Sequence, residues 1–150
     1  MSVEATVRAP SKKVWEVLTD IKQYPKWMSH VESVKPLGSP VAAMGTRFRI
    51  TAGLGSHQVV SEVEVFAADP EERLAWRHLD DKLDGHEVKM ASDGETEFVL
   101  DKAGKDTKIR VRNSFVAHGL KAMLGANLFL NHKVKPEIEQ ALERFKALCE

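Results

Sequence analysis

Residues 3–27, VEATVRAPSKKVWEVLTDIKQYPKW, decide the fold. Val3 to Arg8 alternates: Val3, Ala5 and Val7 share one face, while Glu4, Thr6 and Arg8 share the other. That is the pattern of a half-buried strand. Pro10 stops it, and Ser11 is placed to cap a helix over Lys12 to Leu18, with Val14, Trp15 and Leu18 on its apolar side. Asp20 and Pro25 bracket a second short helical turn that offers Ile21, Tyr24 and Trp27 for packing. At the far end, Leu120, Leu124, Asn127, Leu128, Val134, Ile138, Leu142 and Phe145 recur near helical spacing up to Cys149. Only strands and turns lie between. The expectation is an α+β domain in which a curved antiparallel sheet of about seven strands wraps a long C-terminal helix. The two short helices after the first strand plug one end.

The intervening strands follow in order. Val31 to Leu37 ends near Pro36 and reads as an edge strand. Thr46 to Thr51 turns Phe48 and Ile50 inward and Arg47 and Arg49 outward, and Gly53-Leu54-Gly55 reads as a turn. His57 to Phe66 is the longest run, with Val59, Ser61, Val63 and Val65 on one face. Its length predicts strong twist or a bulge. Leu74, Trp76 and His78 share a face of the next strand, and Val88 and Met90 share a face of a brief one. Glu95 to Leu100, Ala103-Gly104 and Thr107 to Asn113 form the clearest hairpin. Pro136 either kinks the terminal helix or starts a new one at its first turn. Gly125 marks a weak point of that helix or a close backbone approach.

With 150 residues, the chain reads as one domain, 1–150, able to bury a sizeable core. Lys plus Arg and Asp plus Glu each number 22, so no net charge selects nucleic acid or an acidic surface. A net charge near zero gives little protection against self-association, and a monomer or homodimer is expected. No apolar run is long enough to span a bilayer, and no signal-peptide core opens the chain. The single cysteine, Cys149, can form no internal disulfide. A cytoplasmic location is expected.

A strongly bent sheet is not filled by one straight helix, so a cavity is expected. Its inward positions are Phe48, Ile50, Val59, Val63, Leu74, Trp76, Phe98 and Ile109, with Leu124 and Leu128 facing them from the helix. Ser61, His78, Thr96 and Asn113 fall on the same faces. Buried polar groups need partners and cost roughly 1–3 kcal/mol each when left without them. An apolar pocket with a few convergent polar groups is the usual form of a small-molecule site. Each of the four polar residues also has a plainer reading as a structural or surface group. His78 is the one candidate for catalysis.

Other chemistries find little support. The six histidines, at 30, 57, 78, 86, 118 and 132, show no zinc-ligand spacing. Asp80 to Gly85 lacks the oxygen ligands of a calcium loop and reads as a hairpin turn. Gly53-Leu54-Gly55 has no phosphate-cradle context, and no GxSxG is present. Glu62, Glu64, Glu95 and Glu97 all fall on outward faces. The basic stripe of Lys105, Lys108, Arg110 and Arg112 is explained by cross-strand pairing, without the aromatics that single-stranded nucleic acid would require. No metal and no cofactor are expected.

The chain resembles the START-like superfamily, also called the SRPBCC or polyketide cyclase/dehydrase and lipid-transport group. The resemblance begins with Val7-x-Ala9-Pro10, Val14-Trp15-x-Val17-Leu18-x-Asp20 and Tyr24-Pro25-x-Trp27. It continues through Gly45-Thr46-x-Phe48, Leu74-x-Trp76-Arg77 and the closing Ala141-Leu142-x-x-Phe145-Lys146-x-x-Cys149-Glu150, and so covers nearly the whole chain. It implies a helix-grip (Bet v 1-like) fold with a hydrophobic pocket between sheet and helix. It carries over no shared catalytic set. The expected partner is a small hydrophobic molecule, a lipid, polyketide or related compound, bound or transported. A cyclase or dehydratase acting in the same cavity is the alternative. A protein-binding accessory module using Leu128 to Leu130 is a further one.

Overall fold

The computed structural model describes every residue except Met90, and every side chain except those of Leu54, Asn127, Phe129 and Leu130. The shared face of Val88 and Met90, the position of Asn127 on its helix, and the Leu130 end of the Leu128 patch therefore lie outside the described residues. Strand β1 (Ser2–Val7) is followed by helix α1 (Ser11–Thr19), a 3-10 turn (Ile21–Gln23) and the single-turn helix α2 (Tyr24–Trp27). Next come β2 (Val31–Pro36), β3 (Arg47–Leu54), β4 (His57–Asp69), β5 (Arg73–Leu83), β6 (His86–Glu87), β7 (Ala91–Ala103) and β8 (Asp106–Ala117). Helix α3 (Leu120–Phe129), a π-helical turn (Leu130–Val134) and α4 (Lys135–Cys149) close the chain. The antiparallel sheet runs β1-β8-β7-β5-β4-β3-β2, with β6 paired to β5.

The alternation of β1 is realised against β8, in register Val3↔Val111, Ala5↔Ile109 and Val7↔Thr107. Val7, Ile109 and the buried hydroxyl of Thr107 close that end, Thr107 Oγ1 donating to the Ala9 carbonyl at 2.8 Å. Ser11 does not cap α1. Its hydroxyl donates to Glu71 Oε1 at 2.6 Å, and Pro10 holds the N-cap position. The plug forms as expected: Tyr24 and Trp27 are buried, and the Tyr24 hydroxyl donates to the Leu18 carbonyl at 2.9 Å. Trp27 meets Phe145 of α4 edge-on, ring centres 4.9 Å apart. Phe48, Trp76 and Phe98 extend this aromatic layer across the sheet at 5.2 Å spacings.

Two expected turns are strand instead. Strand β3 runs through Gly53 and Leu54, so its turn begins at Gly55, whose φ is 62°. Strand β5 runs through Asp80 to Leu83, leaving only Asp84-Gly85 to turn, with φ of 49° and 84°. Long strands that wrap a helix must coil, and here they do so through bulges. Pairing passes from Glu62↔Asp80 to Val63↔His78, which makes Leu79 an extra residue. It passes from Val65↔Trp76 to Ala67↔Ala75, which makes Phe66 another. In β7 the register shifts between Ser92 and Glu95, with Asp93 at a φ of 54°.

Pro136 opens α4 at its first turn, as one of the two expectations had it, with Glu137 beside it. The chain stays helical from α3 through the π turn into α4, with proline in the first turn of α4. A π turn widens the helix where a proline ring would otherwise strike the carbonyl four residues earlier. Among the described side chains of this segment, the buried ones all lie on α4, the gripped element: Ile138, Ala141, Leu142, Phe145 and Cys149. Helix α3 leaves Leu120, Met123, Leu124 and Leu128 exposed.

Candidate functional site

Between the sheet, α3 and the start of α4 lies a cavity of about 680 Å³. The aromatic layer of Trp27, Trp76 and Phe98 bounds one side, with Ile138, Ala141 and Leu142 of α4. Ala122, Gly125 and Ala126 of α3 bound another. The small side chains of α3 leave the space open; a Cβ added at Gly125 would meet nothing within 4 Å. Gly125 is therefore not a point of close approach to the sheet.

Of the residues expected in the wall, Ile50, Val59, Ser61, Trp76, His78, Thr96, Phe98 and Asn113 line the cavity together. Phe48, Val63, Leu74 and Ile109 do not. They are fully buried beneath it, because the aromatic layer fills that part of the sheet. Leu124 and Leu128 do not line it either. Their side chains point to solvent, 74% and 63% exposed, because α3 stands off the sheet and presents its alanines and Gly125 instead.

The four polar residues expected in the wall all find hydrogen-bond partners. Thr96 and Asn113 face each other across β7 and β8, and Thr96 Oγ1 donates to Asn113 Oδ1 at 2.8 Å. Ser61 faces Asp81 across β4 and β5, and Ser61 Oγ donates to Asp81 Oδ1 at 2.5 Å. The same Oδ1 lies 2.8 Å from His78 Nδ1. Burial pushes the Asp81 carboxyl up, but the hydrogen bonds and field of His78 and Ser61 outweigh it and hold it below the ordinary carboxylate range. The arrangement is not a nucleophile triad: the serine and the histidine bond to one carboxylate oxygen, not to each other.

Sequence alternation did not find Asp81, and the Leu79 bulge is the reason. From His78, strict alternation brings Asp80 and Lys82 inward. One extra residue reverses this, so Asp81 and Leu83 line the cavity while Asp80 and Lys82 pair outside at 3.9 Å. Glu95 keeps its outward assignment: the β7 bulge ends before it, and it stands exposed on the outer face beside Glu97, Arg112 and Phe66. The other three glutamates also face outward, Glu62 toward Arg49 at 4.0 Å, Glu64 toward Arg47 at 2.8 Å and Glu97 toward Arg73 at 2.7 Å. Of the basic stripe, Arg112 reaches Glu97 at 4.0 Å, and Lys108 reaches Glu4 on β1 at 3.0 Å.

Trp27, Met28 and His30, just after α2, also line the cavity. Trp27 Nε1 and His30 Nδ1 are buried without a hydrogen-bond partner. Burial pushes the His30 imidazole below its ordinary value, and the Glu137 carboxylate 3.9 Å away opposes this. Among the described residues, no three His, Cys, Asp or Glu side chains group as metal ligands. Among them, too, no helix is long and apolar enough to cross a membrane.

A family model described as polyketide cyclase / dehydrase and lipid transport matches residues 1–150. The chain belongs to this family. The helix-grip fold of the family is the one seen here, with the sheet closed around α4. The Zhui aromatase/cyclase of a Streptomyces species superposes with a TM-score of 0.74 at 20% identity, over 99% of this chain and 92% of that one. TTHA0849 of Thermus thermophilus gives 0.75 at 17% identity, over 99% and 95%. A START superfamily protein of Mycobacterium smegmatis gives 0.72 at 14%, over 95% and 93%. At such identities the likeness is one of fold, and the site must be argued from this chain's residues. No curated protein matches the sequence.

Proposed function

We propose that this family member binds a small hydrophobic molecule in the cavity between sheet and helix, to carry or present it. One observation carries the reading: a cavity of about 680 Å³ walled mainly by apolar side chains. Small-molecule sites occupy about 300–1,000 Å³ and are lined in this manner. The family description, which includes lipid transport, supports it. The direct test is solvent extraction and native mass measurement of the gently purified protein, followed by titration with apolar aromatic compounds. Trp27 and Trp76 stand in the wall, so a bound ligand will quench or shift their fluorescence. A protein that carries nothing, and whose tryptophan signal ignores lipid, sterol and aromatic panels, refutes the reading.

The His78–Asp81 pair favours a second reading, catalysis of cyclisation or dehydration on a polyketide-like or aromatic substrate. An imidazole oriented by a carboxylate is suited to proton transfer. The Zhui protein, with the same fold, is named an aromatase/cyclase. Turnover that survives His78→Gln removes this reading.

A further inference from the structure

We propose that His78 Nε2 is a recognition point for a hydroxyl group, so that the ligand is an apolar skeleton bearing a phenol or alcohol O–H. The inference rests on the cavity-binding reading above and specifies the ligand class.

Three observations fix the imidazole. First, the Leu79 bulge places Asp81 on the same face as His78, so that Asp81 Oδ1 sits 2.8 Å from Nδ1. An ionised carboxylate only accepts hydrogen bonds, so the nitrogen facing it carries the proton. In the neutral ring the lone pair is then left on Nε2. Second, Ser61 spends its hydroxyl proton on the same Oδ1, which anchors the carboxylate from the neighbouring strand. Third, Gly94 in the β7 bulge packs against the ring. A Cβ there would stand 3.2 Å from both Cδ2 and Cγ of His78. With Nδ1 held by Asp81 and the Cγ–Cδ2 edge lying on Gly94, Nε2 and Cε1 form the ring edge left for a ligand. The side chain lines the cavity and is one-quarter exposed.

The surroundings choose among partners for Nε2. A carboxylate or phosphate would meet the carboxylate of Asp81, which lines the same wall and holds the same ring at 2.8 Å. An ammonium would surrender its hydration to a mainly apolar cavity at high cost. A neutral O–H donor satisfies the acceptor and brings no charge with it.

The test compares naphthalene, 2-naphthol and 2-naphthoate by titration of tryptophan fluorescence. Wild type is expected to bind 2-naphthol roughly 5-fold more tightly than naphthalene, the size of one net hydrogen bond, and 2-naphthoate least tightly. The quantity read is the naphthol-to-naphthalene affinity ratio, which a merely structural loss leaves unmoved because it weakens both ligands alike. His78→Phe is expected to bring the ratio to about 1. Asp81→Asn releases the tautomer, and Gly94→Ala displaces the ring by its methyl group, so both should shrink the ratio as positioning changes. These two keep the test open should His78→Phe fail to fold. Equal affinity of wild type for naphthol and naphthalene, or a preference that persists without His78, overturns the inference while the cavity reading stands. Failure of all three compounds to bind wild type while the lipid or sterol panels do bind overturns the inference alone, and failure of every panel overturns both.

Discussion

Phe145 and Leu124 belong to one apolar periodicity in the C-terminal segment, yet the fold treats them oppositely. Phe145 is completely buried and meets Trp27 edge-on at 4.9 Å, whereas Leu124 is 74% exposed. Truncating Phe145 to alanine strips an aromatic ring from the junction of α2 and α4. About 150 Å² of apolar surface at about 25 cal/mol per Å² gives about 3.8 kcal/mol. The lost edge contact adds roughly 0.5–1.5 kcal/mol. The sum, about 4–5 kcal/mol, sits at the upper end of measured Phe→Ala costs. For a domain of this size each kcal/mol lowers Tm by roughly 2–4 °C, so a fall on the order of 10–20 °C is expected. Leu124→Ala should change stability by less than about 0.5 kcal/mol. Urea unfolding followed by circular dichroism measures both, with thermal scans as a check. A loss below about 1 kcal/mol for Phe145→Ala, or equal losses for the two variants, would show that α4 is not the gripped element.

Cys149 should behave as an inert core thiol: burial pushes it up to about 12. At pH 8 a thiol-modifying reagent will label native protein far more slowly than urea-unfolded protein, and equal rates would contradict the burial. His30 titrates lower in the fold than in the unfolded chain. Its contribution to stability is therefore intact above about pH 6.5 and lost as pH falls through its folded value. Urea midpoints taken from pH 7.5 down to 5.5 should fall more steeply for wild type than for His30→Gln; parallel slopes would count against it. Gly125→Ala adds a methyl group to open space and removes a helix-weakening residue. Amide exchange within α3 should slow by up to about 5-fold with ligand binding preserved, and faster exchange would mean that the space is occupied.

The helix-grip architecture was legible because local pattern carried it. Period-2 alternation in β1, β3, β4, β7 and β8, the Ala103-Gly104 hairpin and the terminal helical spacing each point to one element, and the elements agree on one fold. Much of the cavity wall was legible for the same reason: Ile50, Val59, Ser61, Trp76, His78, Thr96, Phe98 and Asn113 follow from alternation within single strands. Asp81 was not legible. Alternation predicts a residue's face only while the pairing register is unbroken, and the bulge at Leu79 breaks it. That bulge depends on how distant strands coil around the helix, which no local stretch encodes. Leu124 and Leu128 failed for a related reason, since spacing identifies an apolar helix face but not how far along it the sheet reaches. The sequence by itself thus determined the elements, their order and most of the cavity's apolar lining, because those depend on neighbours in the chain. Only the tertiary structure decided which carboxylate meets His78 and which part of the terminal helix is held, because both depend on contacts between residues far apart in the chain.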